Sequence, residues 1–463
     1  MFFSVENVNK NYRFISFKGR FYGCHFLYRV CFVMKKKIYK FVCFVFYPFF
    51  AALLFFYGIG VRFLSSRKCQ RARIVWGPTP IISNMYWARA MKDVGYVSET
   101  YMEGYYSVIN KKSDYNFLLE SRFGSIPNFI KYYIAFFESL LKYDVFVLPF
   151  EGFYLGRTPY WRLESWALSL SGKKTVLIPY GADAYVYRRI KSISLTHGLL
   201  MSYPGAARIQ SNIQKRVDYW ISRASCVICG VMAADGFGRW DVITPSPFVI
   251  DISVWRPSIR KSDADGVSGA VYIAHAPNHR GFKGTEFILD AVKKLKEEGL
   301  NVELVLIEKK KNEEVRNIFY KDVDILVDQL IASGYAFNAI EGMASGLPVV
   351  ANFEDDSYVI PTRRWSFLGE CPIVSASPES VVDVLRKLVT NPQLRQDLGG
   401  AGRSYAEKYH GYDSAQYLFS AVIDYLYGRR DSLINLYHPL LGEYKKDEPK
   451  IVPPLVDNKI PDL

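Results

Sequence analysis

Apolar positions fall into three regimes along the chain. From Phe41 to Val61 the run FVCFVFYPFFAALLFFYGIGV holds no charged residue over 21 positions. As a helix it spans roughly 30 Å, about one hydrocarbon core. After Arg73 the pattern changes to short apolar runs, each stopped by Gly or Pro, alternating with amphipathic stretches. RIVWG reads as a strand that ends at Gly77-Pro78-Thr79-Pro80, and SNMYWARAMKDVG as a helix with Ser83 or Asn84 as its cap and Gly95 as its stop. DVFVLP, KTVLIPYG and CVICG read as further buried strands. Residues 256–270, RPSIRKSDADGVSGA, are polar and turn-rich without apolar periodicity, which marks a linker. Beyond it the alternation restarts: AVYIAHA, VELVLIE, VDILVD and LPVVAN as strands, with TEFILDAVKKLKEEG, NEEVRNIFYKD and YAFNAIEGMAS as the helices between them. From about residue 378 the pattern turns helical.

Strands alternating with helices imply a parallel sheet covered on both faces, whose ligands gather at the carboxyl ends of the strands. The predicted fold class is therefore α/β, with two Rossmann-like, doubly wound domains facing a cleft and a hydrophobic segment ahead of them. The expected organisation is a membrane-associating segment over residues 1–66, a first domain over 70–255 and a second over 268–405. A helix over 406–430 is expected to pack back across the domains, and 444–463, rich in Lys, Asp and Pro, is expected as a disordered tail.

Charge changes the picture only once it is located. The chain carries a formal +14, but residues 1–73 hold fourteen Lys and Arg against the single acid Glu6, so the remaining 390 residues are nearly neutral. Basic residues around an apolar run point to anionic lipid, contacted through residues 35–73, and away from nucleic acid. Pro48 would kink a helix here, and the dense Phe and Tyr equally suit a segment lying in the interface. Both flanks are basic, so neither orientation is selected. Met34-Lys35-Lys36-Lys37 ahead of an apolar run has the form of a signal peptide, but the run is long and no small-residue cleavage site follows. Met34 is a second candidate start. The seven cysteines are scattered; Cys226-Val-Ile-Cys229 has metal-site spacing without a second pair and reads as part of a buried strand in a reduced, cytosolic protein.

Two constellations carry candidate chemistry. In HAPNHRGFKGTEF, a strand delivers the chain to Arg280, Lys283 and Gly284, and Thr285 is positioned to cap the helix that follows, whose apolar face is Phe287, Ile288, Ala291, Val292 and Leu295. Two cations beside free helix N–H groups suit a pyrophosphate; solvated loop residues are the plain alternative. In SGYAFNAIEGMASGLPVV, Ser333, Gly334 and Ala336 allow close approach of a ligand to the backbone, with Tyr335 between them, and Glu341 lies in the next helix, where a carboxylate can accept the two hydroxyls of a ribose. In the first domain, Gly77 to Asn84 form the loop after the first strand. Asp183 in PYGADAYVY ends another, where capping of the next helix is the alternative role. His197 and the aromatic stretch RTPYWRLESW are weaker acceptor-side candidates.

Together, HAPNHRGFKGTEFILDAVKKL and DILVDQLIASGYAFNAIEGMASGLPVVAN resemble the donor-binding half of glycosyltransferase family 4, in the branch with HAPxxRxxKGT and a later DQ, here Asp328-Gln329. The resemblance covers about 130 residues well and the first half in outline. It implies the GT-B fold, with Arg280 and Lys283 on the donor diphosphate, acting in catalysis, and Ser333, Gly334, Tyr335, Ala336 and Glu341 on the nucleotide sugar. Gly77, Asn84 and Asp183 would line the acceptor side. The family's usual motif has a glutamate where Ser333 stands, and the DQ branch tends to lack it. The implied reaction needs no metal and no cofactor beyond the nucleoside-diphosphate sugar, retains the anomeric configuration, and serves a glycan or lipid-linked acceptor from the cytoplasmic face of a membrane. An inactive nucleotide- or glycan-binding relative and a nucleotide-sugar epimerase are the alternatives, followed by a structural membrane protein.

Overall fold

The computed structural model describes residues 22–65, 71–107, 109–230, 234–245, 247–260 and 262–461, with the backbone alone for 22–40, 65 and 128. Residues 1–21 and 66–70, which carry part of the basic flank, lie outside the described residues. The chain divides into two compact units, Met1–Leu54 and Phe55–Leu463. A single helix, Tyr22–Ser65, contains the whole apolar run with Pro48 inside it, and Phe41–Leu64 is long and apolar enough to cross a membrane.

Two parallel sheets make up most of the larger unit. The first has β1 (Arg73–Trp76), β2 (Val97–Met102), β3 (Phe117–Leu118), β4 (Val145–Leu148), β5 (Lys174–Leu177), β6 (Cys226–Cys229) and β7 (Val242–Ile243), in the order 3-2-1-4-5-6-7. The second has β8 (Val271–His275), β9 (Val302–Leu306), β10 (Ile325–Ser333), β11 (Val349–Asn352) and β12 (Val374–Ser375), in the order 12-11-10-8-9. This is the doubly wound, two-sheet α/β architecture that the alternation of strands and helices predicts. In each sheet the winding direction reverses once, between β1 and β4 and between β8 and β10, and such a reversal opens a crevice at the carboxyl ends of the two strands.

The C-terminal helix Tyr412–Leu426 belongs to the first sheet's layer although its sequence follows the second. Phe419 packs edge-on against Trp76 at 4.8 Å and against Trp87 at 5.7 Å, and Gln416 donates to the Ala90 carbonyl on the Ile82–Asp93 helix. Trp87 is fixed in turn by donation of its indole N–H to the Pro247 carbonyl.

The last residues differ from the loose tail expected of their composition. Val456 and Lys459 bridge across Asp457 and Asn458, both at positive φ, a tight two-residue hairpin turn of the kind Asn and Asp favour. Asn458 is buried: its amide donates to the Cys371 and Ile373 carbonyls and its carbonyl accepts from Ser375 N–H. The hairpin thus caps β12, an edge strand whose backbone groups would otherwise be exposed.

Candidate active site

At the second sheet's reversal, β8 ends on His275, whose side chain is buried. Nδ1–H donates to the Val327 carbonyl at 2.8 Å, so Nε2 accepts from the Thr285 hydroxyl at 2.9 Å. Burial lowers its pKa to about 4, and the neutral ring acts as a rivet between β8, β10 and the following helix. This overturns the capping role expected of Thr285. The cap position of the Thr285–Glu297 helix is Gly284, in the left-handed region with φ 75°, where a Cβ would meet Leu330 Cβ at 3.1 Å. Arg280 to Lys283 also form one helical turn rather than a loop.

That turn sends the two cations in different directions. Lys283 points inward, buried, with Nζ 2.6 Å from Asp328 Oδ1 and 2.9 Å from Gln329 Oε1. Arg280 points outward and pairs with Glu286 at 3.0 Å and Glu308 at 3.8 Å. Consecutive residues of a regular strand face opposite ways, yet Asp328 and Gln329 both reach Lys283. A register shift between Val327 and Gln329 in the β10–β11 ladder accounts for this. The Gln329 amide then donates to the Ala332 and Gly334 carbonyls and holds the turn that follows.

Around this ion pair the polar groups are incompletely matched. Asn338 also donates to Asp328 Oδ1 at 3.2 Å, while buried Asp328 Oδ2 has no hydrogen-bond partner among the described residues. Glu341, on the Phe337–Ala344 helix, is contacted by the Asn312 amide at 3.4 Å. Burial, reinforced by the charge of Asp328, raises its pKa to about 8. Sequence reasoning noted Asp328 and Gln329 only as a motif and missed Asn338 and Asn312.

Four of the residues expected to hold the sugar are engaged within the fold in other ways. The Ser333 hydroxyl is buried, donates to Asn352 Oδ1 at 2.8 Å and accepts from Asp355 N–H at 3.0 Å. Tyr335 turns into the core, where its hydroxyl meets Tyr405 at 2.9 Å and His410 Nε2 at 3.1 Å. Its ring is drawn there by the apolar and aromatic packing of Phe353, Tyr405 and His410. Gly334 has φ 105°, a conformation that side chains rarely adopt, and Ala336 occupies the N-cap position of the Phe337–Ala344 helix. These two therefore shape the turn by their backbone.

At the first sheet's reversal a pocket is lined by Thr79, Asn84, Trp87, Pro149 and Tyr180, from the loops after β1, β4 and β5 and the adjoining helix. Gly77 has φ 152°, and a Cβ there would lie 2.2 Å from the Tyr101 carbonyl. Asn84 is not a helix cap: it lies inside the Ile82–Asp93 helix and donates to the Thr79 carbonyl at 2.8 Å. Asp183 neither caps a helix nor presents a free carboxylate. It accepts from Phe150, Tyr180 and Gly181 N–H at 2.9, 3.0 and 3.1 Å and pins the loops after β4 and β5 together. Burial raises its pKa to about 7, assisted by Glu151 and opposed by those three hydrogen bonds. The charged group at this end is Arg157, from the stretch given little weight above: its guanidinium meets Glu103 at 2.8 Å, Glu151, and the Thr79 hydroxyl at 2.8 Å.

The two halves touch at the Ile193–Ser202 helix, which carries His197. Ser202 Oγ accepts from Phe282 N–H at 3.0 Å, and a Cβ on Gly198 would lie 2.9 Å from Ile331 Cγ2. Cys226 and Cys229 are buried in β6 with thiols pushed up by burial, and three residues apart in a strand they face opposite sides of the sheet. Among the described residues no group of three or more His, Cys, Asp or Glu is placed to hold a metal.

No family model matches the chain, and no curated protein matches it. Among solved structures it is similar to a glycosyltransferase from Rickettsia africae, at 12% identity over 78% of this chain and 100% of that one, with TM-score 0.46. MnaA from S. aureus, solved with UDP, aligns at 11% identity over 77% of this chain and 97% of that one, with TM-score 0.41. The C-terminal domain of a group 1 glycosyl transferase family protein, LpcC, from Francisella tularensis aligns at 19% identity over 35% of this chain and 98% of that one, with TM-score 0.26. At these scores the likenesses decide neither donor nor acceptor.

Proposed function

We propose that the protein is a membrane-associated glycosyltransferase that takes a sugar from a nucleoside-diphosphate donor held at the second sheet's reversal. The acceptor, a lipid-linked or cell-surface glycan, would approach from the first sheet's side. The observation that carries this reading is the incompletely matched cluster of Lys283, Asp328, Asn338 and Glu341 at the carboxyl end of β10. A perturbed carboxyl group that feels the charge of Asp328, whose own ion pair with Lys283 leaves one oxygen without a partner among the described residues, suits at a strand-order reversal a ligand bearing both phosphate and vicinal hydroxyls.

In this reading Lys283, held by Asp328 and Gln329, meets the diphosphate and stabilises the charge that grows on it as the glycosidic bond breaks. Glu341 accepts from ribose hydroxyls once ionised. Arg280 contributes from the rim. The reaction proceeds with retention and without a metal, on the cytoplasmic face, where Phe41–Leu64 holds the protein to the membrane.

A second reading, nucleotide binding without transfer, is favoured by one observation: the Ser333 hydroxyl, which stands where the family places a glutamate, is committed to Asn352 and Asp355. Release of nucleotide from a panel of UDP-, GDP- and other nucleoside-diphosphate sugars, with and without lipid extract from the native membrane, separates the two. Lipid-dependent release from one donor supports transfer. Tight nucleotide binding with no turnover of any donor supports the second reading, and an isomerised sugar nucleotide with no diphosphate released would reveal an epimerase.

A further inference from the structure

The apolar helix is not a free stalk. Within the larger unit its last turns lie against the body: the Tyr57 hydroxyl donates to the Phe137 carbonyl at 2.8 Å, and the two rings meet edge-on at 4.7 Å. Gly58 abuts Leu170 and Ser171, where a Cβ would come within 3.0 to 3.2 Å of their side chains, and Val61 is buried. Phe55 stacks on Trp166 at 6.4 Å. Residues 55–64 are thereby committed to the body on one side. The rest of the apolar run, residues 41–54, is about 21 Å long as a helix, short of the roughly 30 Å needed to cross a hydrocarbon core unaided.

The body surface beside this docked segment is apolar as well. On the Asn128–Lys142 helix, Ile130, Ile134, Phe137 and Leu141 recur at i, i+4, i+7 and i+11, forming one stripe; Tyr57 sits on its Phe137, while Ile130, Ile134 and Leu141 are exposed. On the docked segment itself Phe56, 73% exposed, lies beside Phe55, whose stacking on Trp166 brings that exposed indole to the other flank. Large exposed apolar side chains on both flanks of a docked apolar helix are unusual on a face that meets only water.

We propose that the body itself enters the lipid interface through the Asn128–Lys142 stripe and Trp166, so that the protein sits in the bilayer surface as a monotopic unit rather than hanging from a spanning helix. The occupant of this face is a phospholipid bilayer, with the aromatic side chains at headgroup level. The inference rests on the membrane-associated reading above and goes beyond it by placing the body as well as the helix in lipid.

The full-length chain in phosphatidylcholine–phosphatidylglycerol vesicles tests it, with a benzophenone side chain replacing Ile134, Phe49 or Lys293 one at a time. Irradiation should give lipid adducts at Ile134 comparable to those at Phe49 and at least roughly tenfold above those at Lys293, a helix residue exposed to solvent. Adducts at Phe49 with only background at Ile134 would sink the proposal and leave the anchored reading standing. Background at both positions would overturn the two together. An adduct of Ile134 with another protein instead of lipid would also refute it.

Discussion

The buried aspartates at the two strand-order reversals, Asp183 and Asp328, differ in how completely they are matched. At the first, both oxygens of Asp183 are taken, by the N–H groups of Phe150, Tyr180 and Gly181. At the second, Lys283 has its partners, but among the described residues one oxygen of Asp328 has no hydrogen-bond partner, and Glu341 meets the Asn312 amide at 3.4 Å. A carboxylate with both oxygens taken by backbone N–H groups fixes backbone, whereas one with an oxygen to spare keeps polar capacity that a ligand can take up. The comparison assigns scaffolding to Asp183 and ligand chemistry to the Lys283 cluster.

The strongest way to break that contrast is Lys283→Ala. Loss of a charged hydrogen bond to the diphosphate, worth about 1.5 to 3 kcal/mol, should lower kcat/KM roughly tenfold to a hundredfold or more. The substitution also leaves Asp328 buried and unpaired, with an expected stability loss of about 3 kcal/mol. Adding Asp328→Asn should restore much of the stability and none of the activity; if turnover returns with stability, Lys283 is structural. Asp183→Ala is the converse probe. Three N–H groups lose their acceptor at about 1 kcal/mol or more each, so the denaturation midpoint should fall while nucleotide affinity holds.

Titration sharpens the contrast further. The Glu341 carboxyl keeps its proton in the native state up to about pH 8, whereas the unfolded chain releases it near the ordinary value of 4.5. Between these limits the unfolded state binds fewer protons, so this group makes stability fall as pH rises. Glu341→Gln should therefore gain stability relative to the parent as pH is raised from 5 to about 8 in denaturant titrations. A constant difference across that range would show that the carboxyl does not titrate there. The smallest effect is expected of Arg280→Ala, whose exposed pairings contribute within about 0.5 kcal/mol. Its kcat/KM should fall less than that of Lys283→Ala, and an equal fall would mean that Arg280 swings onto the donor.

Much of the architecture was legible in the sequence because apolar period and turn residues are local signals. RIVW, DVFVL and AVYIAH are strands where their patterns placed them, and the 256–270 break does separate the two sheets. What escaped depends on contacts between distant residues. Nothing near Tyr335 in sequence reveals that its hydroxyl is claimed by Tyr405 and His410, some seventy residues on. The convergence of Asp328 and Gln329 on Lys283 requires a register shift that no periodicity encodes. Thr285 had the right chemistry for a cap, but His275 took its hydroxyl. The terminal hairpin did have a local signal, Asp457-Asn458 between Val456 and Lys459, which the Lys- and Pro-rich composition around it obscured.

The return of the C-terminal helix to the first sheet means that the polypeptide crosses between the halves twice, once near residues 244–270 and again at Gly411. These crossings are tied side by side: Ile250 N–H donates to the His410 carbonyl at 3.0 Å, and the His410 ring donates to the Phe248 carbonyl at 2.6 Å. Mechanically, two strands of chain clamped at one place form a door hinge. Any relative movement of the sheets would have to turn about this clamp and break the contact of the Ile193–Ser202 helix with Phe282.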